Sequence, residues 1–474
     1  MRVYYRLAAL LVIAVLATAM DCPPDEEGLD VRVNDTAADG FFNTTQSETS
    51  IARFGQIVVV GFNDSGEFSQ TGSFTGYGYS LDGGGTFTDA GVLPPVVGGQ
   101  NAGDPALGVD RAGNFYFATL AQDAAGGSFI GVAKTLTTSP TVVFDVPVLI
   151  PGLDPAGFQD KELIAVDATG GSYDGNVYVT WTEFPEAGGT RILFSRSVDG
   201  GLTYSTPLQL SLAGTGVQGS VPTVGPNGEI YAAWEGFGGG TTGHIRVRRS
   251  NDGGLTWGGE LSAATFTRKA DPSATASCQR AALNGNIRVL DFPSIAVDQN
   301  DGNVYLSYAA DPDGNQASGD DGDVYFVSSS DGGATWSTPI TINKGPAVVS
   351  GADGTLNDNF FPFLSVAPNG NINVIFYDRR NDTGNLRVDL YRARSTDGGQ
   401  TWINERITEN SFGIPTLNPN FDPLVAACYM GDYNWVISAA QSIYPAWGDN
   451  RREVISLTGN RPDPDVYFRD GVAP

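Results

Sequence analysis

The sequence is poor in basic residues. It contains 27 lysines and arginines against 53 acids, which gives a formal net charge of −26 over 474 residues. Nucleic acids and anionic membrane surfaces attract basic protein surfaces, so neither is expected as a partner. Calcium, cationic groups and neutral sugars suit this charge better, and the acidity by itself also keeps a large surface soluble.

Histidine and cysteine are also scarce. His244 is the single histidine, which excludes a histidine-rich metal site, and it lies in an alternating run typical of an ordinary strand, so a Ser-His-Asp triad is not expected. No cysteine spacing indicates a zinc site. Cys278 and Cys428 could pair and leave Cys22 over, but sequence does not fix the pairing. No cofactor or metal is assigned, and Ca²⁺ stays open.

Long hydrophobic runs are absent after the N-terminus. Arg2 and Arg6 precede an apolar stretch at 7–16, and an Ala-x-Ala cleavage pattern follows at 17–19. Together they predict a signal peptide over 1–19. The apolar stretch is too short to span a bilayer, and no later stretch qualifies as a transmembrane segment.

The predicted signal peptide implies export, to the periplasm, the cell surface or the medium. An acidic linker is expected over 20–28, before one folded domain over 29–474. Asp21 is a poor fit to the residue that precedes a lipoprotein cysteine, so lipid anchoring at Cys22 is not expected.

The sequence is rich in glycine and carries a repeated octet, Ser-x-Asp-x-Gly-x-Thr-aromatic. The 62 glycines and 27 prolines indicate short strands joined by tight turns. The Asp carboxylate can accept backbone N–H groups just ahead, and glycine tolerates the left-handed backbone that such a turn needs. Each octet therefore predicts a hairpin turn. The octets occupy 80–87, 197–204, 250–257, 329–336 and 395–402, and their aspartates, predicted to be structural, are Asp82, Asp199, Asp252, Asp331 and Asp397.

A second pattern of two apolar strands precedes the octets and is clearest at 293–308. Degenerate copies of this pattern bring the number of units to seven, at intervals of roughly 50 to 70 residues. Each unit offers four strands, A to D, with the octet between C and D. Such repeats predict an all-β fold, a β-propeller of four-stranded antiparallel blades, with seven blades favoured over six. The last unit is one strand short, and 29–33 is expected to supply it and close the ring.

The octets resemble the Asp-box, or bacterial neuraminidase (BNR) repeat, of the sialidase-like superfamily, and the stretches 331–339 and 376–382 are similar to it as well. The resemblance covers nearly the whole mature chain and implies an extracellular carbohydrate as the ligand. Sialidases use an arginine triad whose first member usually lies in an Arg-Ile-Pro motif. That motif is absent; Ser47 aligns with the expected arginine and Arg53 lies mid-strand. This departure favours other chemistry, or none.

The resemblance places a site on the face opposite the octets, where the B–C and D–A loops meet. Acids recur there, with bases and aromatic residues between them, and the long segments 258–290 and 404–428 could shape a rim. The adjacent Arg379 and Arg380 could clamp a carboxylate. The predicted catalytic residues are Asp160, Glu183, Asp378 and Arg379. The predicted ligand-binding residues are Lys161, Asp291, Arg380, Asp382, Asp432, Asp449 and Arg451, and nearby aromatics are Phe360, Phe361, Tyr377, Tyr433 and Trp435.

Two functions remain open at this point. Paired carboxylates facing each other across a pocket would support glycoside hydrolysis. A non-catalytic scaffold for binding or surface interaction predicts instead that each carboxylate is salt-bridged to a neighbour and ties the blades together. A protein partner is compatible with the scaffold, and lyase chemistry is a further alternative.

Overall fold

The structure is a computed structural model that describes residues 29–39, 43–316, 319–344, 355–414, 422, 425, 426, 428–456 and 459–471. Seven antiparallel sheets follow one another along the chain, and each pairs its strands in the order A-B-C-D. The A strands of all seven sheets line one central channel. The predicted seven-bladed propeller is therefore confirmed, and the six-bladed alternative is wrong.

The strand bounds repeat the same four-stranded plan from blade to blade. Blades 1 to 3 comprise Gln46–Phe54, Ile57–Asp64, Thr75–Ser80 and Thr88–Val92; Ala106–Val109, Phe115–Gln122, Ser128–Thr137 and Val148–Pro151; and Phe158–Val166, Val177–Phe184, Arg191–Ser197 and Leu208–Gln209. Blades 4 to 6 comprise Gly216–Val224, Ile230–Phe237, Thr242–Ser250 and Leu261–Thr267; Ser294–Val297, Val304–Ala310, Asp323–Ser329 and Ile340–Thr341; and Asn359–Val366, Ile372–Asp378, Asp389–Ser395 and Ile403–Arg406. Blade 2 has two further short strands, Gln100–Asn101 and Val143–Phe144.

Blade 7 closes the ring with a strand from the other end of the chain. Its strands A to C are Trp435–Ala439, Ser442–Ser456 and Gly459–Arg469, and its fourth strand is Asp30–Arg32. Asp30 pairs with Arg469 in the antiparallel register, and its carboxylate also accepts a hydrogen bond from Arg451 at 2.8 Å. Closure by the predicted segment 29–33 is thereby confirmed.

The B strands are largely apolar because each blade packs between two others. Trp181, Trp234 and Trp447 occupy B strands in blades 3, 4 and 7, and all three are fully buried. With neighbouring blades on both of its faces, a B strand has no solvent-facing side that would favour alternating polar residues.

Each octet folds as a turn between strands C and D, as the turn of blade 5 shows. Thr335 donates its backbone N–H to Asp331 Oδ1 at 2.9 Å and its hydroxyl to Asp331 Oδ2 at 2.6 Å. The Gly333 N–H donates to Ser329 Oγ at 2.8 Å, and Gly333 takes a φ of 84° that suits glycine. The Thr335 hydroxyl is the main reason that the pKa of Asp331 is lowered to about 2.

The segments outside the blades lie mainly on the face opposite the octets. Helix Ser65–Thr71 follows strand B of blade 1, a 3₁₀ turn spans Thr36–Ala38, and helix Pro272–Cys278 follows blade 4. A short hairpin, Ala282–Leu283 with Ile287–Arg288, comes next, and a disulfide joins Cys278 to Cys428. In the part of the chain that the structure describes, no helix is long and apolar enough to cross a bilayer.

Candidate functional site at the channel mouth

Several A strands begin with a β-bulge on the face opposite the octets. The A–B register shifts after Ser47 in blade 1 and after Asp160 in blade 3. The residues that follow, Glu48 and Lys161, have φ values of 53° and 55°. Asp104, at the start of blade 2, has a φ of 56°. Positive φ is costly for residues with side chains and clusters where a fold positions functional or tightly packed groups.

The bulges bring charged side chains from different blades to one point. The buried Lys161 ammonium lies 3.0 Å from Glu48 Oε1, 2.9 Å from Asp104 Oδ2 and 2.9 Å from Asp432 Oδ2. Arg288 holds Asp432 from the other side, with Nε donating to Oδ1 at 2.9 Å and Nη2 bonded to Oδ2. We call these five residues the Lys161 cluster; they tie blades 1, 2 and 3 to the segments before blades 5 and 7.

The Lys161 cluster contains both fixed charges and a carboxyl that resists ionisation. Burial works against charge on Asp432, but Arg288 and Lys161 lower its pKa well below the ordinary value. Burial likewise opposes charge on Lys161, but Asp104 and Asp432 raise its pKa well above the ordinary value. Burial, followed by Asp104, raises the pKa of Glu48. At neutral pH Lys161 and Asp432 are therefore ionised.

An open pocket of about 450 Å³ lies directly beside the Lys161 cluster. We call it the channel-mouth pocket. Its lining combines carboxylates, amides, cations and two aromatic rings, and comprises Asn63, Phe74, Ala102, Asp104, Asp160, Lys161, Gln218, Gln279, Arg280, Ala281, Arg288, Val289, Leu290, Val425, Ala426, Tyr429 and Asp432. It therefore has the size and the mixed polarity of a small-ligand site.

Asp160 differs from the other carboxylates of the pocket. Its Oδ2 accepts a hydrogen bond from Gln218 Nε2 at 3.2 Å, and no ion pair to it occurs within the described ranges. Burial raises the pKa of Asp160 to about 7, with Lys161 opposing the rise and Asp104 adding to it. A pocket-lining carboxyl that titrates near neutrality can donate or accept a proton under physiological conditions.

Seven polar residues that line the pocket are not among the residues predicted from sequence: Asn63, Asp104, Gln218, Gln279, Arg280, Arg288 and Tyr429. Tyr429 accepts a hydrogen bond through its hydroxyl from Asn63 Nδ2 at 2.8 Å, and the Arg288 guanidinium lies 4.7 Å from the Tyr429 ring centre. Asn63 directly precedes an acid that ends strand B, which is a usable signal. Arg288 lies in the long segment 258–290, and Tyr429 directly follows the long segment 404–428. The disulfide joins these two segments, and the prediction that they shape a rim was the one sequence signal for either residue.

Asp160, Lys161 and Asp432 are the predicted site residues that line the pocket. Asp378, Arg379 and Arg380 lie in blade 6, away from it. Asp378 accepts a hydrogen bond from Arg380 Nε at 2.7 Å, and the fully buried Arg379 donates to Asp358 Oδ2 at 2.9 Å. These pairs hold the blade together, and Asp382 accepts backbone N–H groups of its own loop.

The remaining predicted residues form ion pairs elsewhere. Glu183 pairs with Arg191 in blade 3, and Asp291 pairs with the buried Lys269 between blades 4 and 5. Asp449 and Arg451 pair at 2.6 Å in blade 7. Among the residues that the structure describes, no group of three or more His, Cys, Asp or Glu side chains is disposed to hold a metal ion.

No protein-family profile matches the chain, and no curated protein matches it either. Solved structures do. A polysaccharide lyase, an ulvan lyase bound to -[GlcA(1-4)Rha3S]-, aligns with a TM-score of 0.53 and 11% identity over 91% of this chain and 95% of its own. In fold, this chain is similar to that polysaccharide lyase. The other matches include a Hadza microbial sialidase, with a TM-score of 0.45, 14% identity and coverage of 77% and 64%, and a Dyadobacter fermentans protein of unknown function, with a TM-score of 0.45, 12% identity and coverage of 78% and 95%. At these identities the likeness concerns the fold alone.

Proposed function

We propose that this protein is an exported propeller that binds extracellular carbohydrate in the channel-mouth pocket and hydrolyses a glycosidic bond there. The observation that carries the proposal is the contrast between two carboxyl groups lining one pocket. Asp160 has an amide as its partner, whereas Asp104 is held by the Lys161 ammonium at 2.9 Å. Glycoside hydrolysis needs two carboxyl groups with different roles, one of which donates a proton while the other assists water.

In this proposal Asp160 donates its proton to the glycosidic oxygen as the bond to the anomeric carbon breaks. Asp104 assists the attack of water at that carbon and takes up the proton that the water loses. Lys161 positions Asp104, while Gln218 orients Asp160 through its 3.2 Å hydrogen bond. Asn63, Gln279 and Tyr429 supply hydrogen-bonding groups for sugar hydroxyls at the pocket wall. The predicted signal peptide adds an extracellular or periplasmic location to the proposal.

A second candidate function is a non-catalytic scaffold that binds glycan. It is favoured by one observation: Glu48, Asp104 and Asp432 all share the Lys161 ammonium. Such ion pairs stabilise the junction between blades, and this role does not require the carboxylates to take part in catalysis. The two functions differ in what Asp160 does, since the scaffold leaves it only a binding role.

The proposal is tested by screening the purified mature chain against sialosides, arabinan, ulvan and neutral polysaccharides. New reducing ends report cleavage by either route, and absorbance of unsaturated products distinguishes elimination from hydrolysis. Asp160→Asn is expected to lower kcat by about 10²–10⁴-fold, because it removes a proton donor while keeping the shape of the side chain. Asp145→Asn, at an exposed aspartate of blade 2, serves as the matched control and should match the wild type.

Each outcome of the screen decides between the functions. Turnover that is lost in Asp160→Asn, at an unchanged melting temperature, supports hydrolysis at this pocket. Binding on a glycan array without turnover favours the scaffold. Unsaturated products would replace hydrolysis by lyase chemistry, and turnover that Asp160→Asn retains would contradict the role given to Asp160.

A further inference from the structure

Phe158 is an exposed aromatic residue two positions before Asp160, which lines the channel-mouth pocket. It is the first residue of strand A in blade 3, and its side chain is 50% exposed. It pairs across the sheet with Phe184, the last residue of strand B, and the two ring centres lie 6.2 Å apart at an interplanar angle of 44°. The pair places two aromatic rings side by side at the end of blade 3 where strand A begins and strand B ends.

Strand alternation places Phe158 on the side of the strand that faces the pocket. Gln159, between Phe158 and Asp160, points the other way, where its Oε1 accepts the buried Trp181 indole N–H at 2.7 Å. Phe158 and Asp160 therefore share one side. With a rise of about 3.3 Å per residue, the two positions lie roughly 7 Å apart along the strand, which is close to the span of one sugar ring.

Large exposed aromatic side chains are rare in this protein. Among the exposed large hydrophobic side chains of the described residues, Phe54 and Phe158 are the aromatic ones. Phe54 ends strand A of blade 1, at the turn into strand B, and so lies on the octet face. Its ring packs over Gly113, where an added Cβ would approach to 2.7 Å. Phe158 is thus the exposed aromatic on the pocket face of the described chain, and Phe54 offers a matched control on the opposite face.

We propose that Phe158, backed by Phe184, is a carbohydrate subsite next to Asp160, and that the ligand is an oligosaccharide or polysaccharide that extends out of the pocket over blade 3. This inference rests on the proposed function, which it deepens by naming chain length as a determinant of binding. The apolar C–H face of a sugar ring covers an aromatic ring well, and ring stacking adds affinity without requiring a particular hydroxyl pattern. Because the two positions are separated by about the span of one sugar ring, stacking on Phe158 requires the sugar next to the one held at Asp160.

The test is a glycan array that carries cello-, xylo-, arabino- and ulvan-derived oligosaccharides of one to six residues, probed with the wild type, Phe158→Ala, Phe158→Trp and Phe54→Ala. Phe158→Ala is expected to weaken binding of the longer oligosaccharides by about tenfold and to leave the shortest members unchanged. Phe158→Trp should retain or strengthen binding of the longer oligosaccharides. Phe54→Ala should match the wild type at every length. Melting temperatures confirm that the variants fold.

The outcomes separate this inference from the proposed function. If the wild type binds glycans and Phe158→Ala binds every length equally well, the subsite is overturned and the proposed function stands. An equal loss at every length would also overturn it, because Phe158 would then support the pocket itself rather than a separate sugar ring. If the wild type binds no member of the array but turns over a substrate of the screen, the subsite alone is overturned; if it neither binds nor turns over any glycan, both the subsite and the proposed function are contradicted.

Discussion

Replacing Lys161 with methionine is expected to destabilise the protein by about 3–5 kcal/mol at pH 8, because removing one partner of a buried ion pair strands the charge of the others. Here the groups that lose the ammonium are the carboxyl groups of Glu48, Asp104 and Asp432, each within 3.0 Å of it. Arg288 still neutralises Asp432 after the substitution. Among the described residues, Glu48 and Asp104 would keep no ion pair, and the junction of blades 1, 2 and 3 would weaken.

The stability deficit of Lys161→Met should depend on pH in a defined direction. Burial already raises the pKa of Glu48, so this carboxyl accepts a proton first as the pH falls and relieves the repulsion. The deficit is therefore expected to be smaller at pH 5 than at pH 8. Urea unfolding at both pH values measures it.

Lys134→Met is the matched control for Lys161→Met. The Lys134 ammonium donates to Gly200 O at 3.1 Å and lies 5.3 Å from the Tyr116 ring centre. These are a neutral hydrogen bond and a cation–π contact, so a loss of only about 1 kcal/mol is expected. A loss of similar size in Lys161→Met at pH 8 would show that the Lys161 cluster does not join the blades.

Removing the disulfide by the double substitution Cys278→Ser and Cys428→Ser is expected to lower the free energy of unfolding by about 2–5 kcal/mol. The bond joins residues 150 positions apart, so it restricts a large part of the unfolded chain. It also holds two walls of the channel-mouth pocket together. Gln279 and Arg280 follow one cysteine directly, Tyr429 follows the other, and all three line the pocket.

The double variant should therefore lose glycan affinity at temperatures where it is still folded, and wild type treated with reductant should behave in the same way. Cys22→Ser removes the cysteine that lies outside the described residues and should change neither property. Retention of wild-type affinity by the folded double variant would show that the pocket keeps its shape without this bond.

The propeller could be predicted because its signals are local. An octet contains both a carboxylate and the N–H groups that donate to this carboxylate, as Asp331 and Thr335 illustrate. Eight neighbouring residues are therefore sufficient to specify the turn. The two apolar strands of each unit follow from the pattern of hydrophobic residues. The closing strand at 29–33 follows from counting the strands, because the last unit is one strand short. None of this requires knowing which side chains meet across blades.

The site could be predicted only in part because its pairings are not local. In the sequence, Asp160 and Asp432 were recognisable as acids at the D–A junctions, although the structure places Asp160 inside strand A of blade 3. Glu48 lies in a polar run at the start of strand A in blade 1, and only the bulge brings it to Lys161. Arg288 reaches the pocket through an insertion whose path the sequence does not determine.

Several residues that were predicted to be functional form ion pairs with neighbouring residues or are buried in the core. The charged run that begins at Asp378 suggested a clamp, but Asp378 pairs with Arg380 and Arg379 with Asp358 inside blade 6. Phe360, Phe361 and Tyr377, which are typical of a sugar platform in sequence, are buried in the hydrophobic core. A run of charged or aromatic residues in the sequence does not show whether their side chains are accessible to a ligand. Their accessibility depends on how neighbouring blades pack.

The pH dependence of kcat/KM for wild type and Asp160→Asn, on a substrate that the screen retains, tests the central claim most directly. Burial raises the pKa of Asp160 to about 7, so its carboxyl is protonated and able to act as an acid below that pH and loses its proton above it. Wild-type kcat/KM should fall about tenfold per pH unit above pH 7, and Asp160→Asn should be slow and lack this limb. A variant that keeps both the wild-type rate and the same pH profile would contradict a catalytic acid at Asp160.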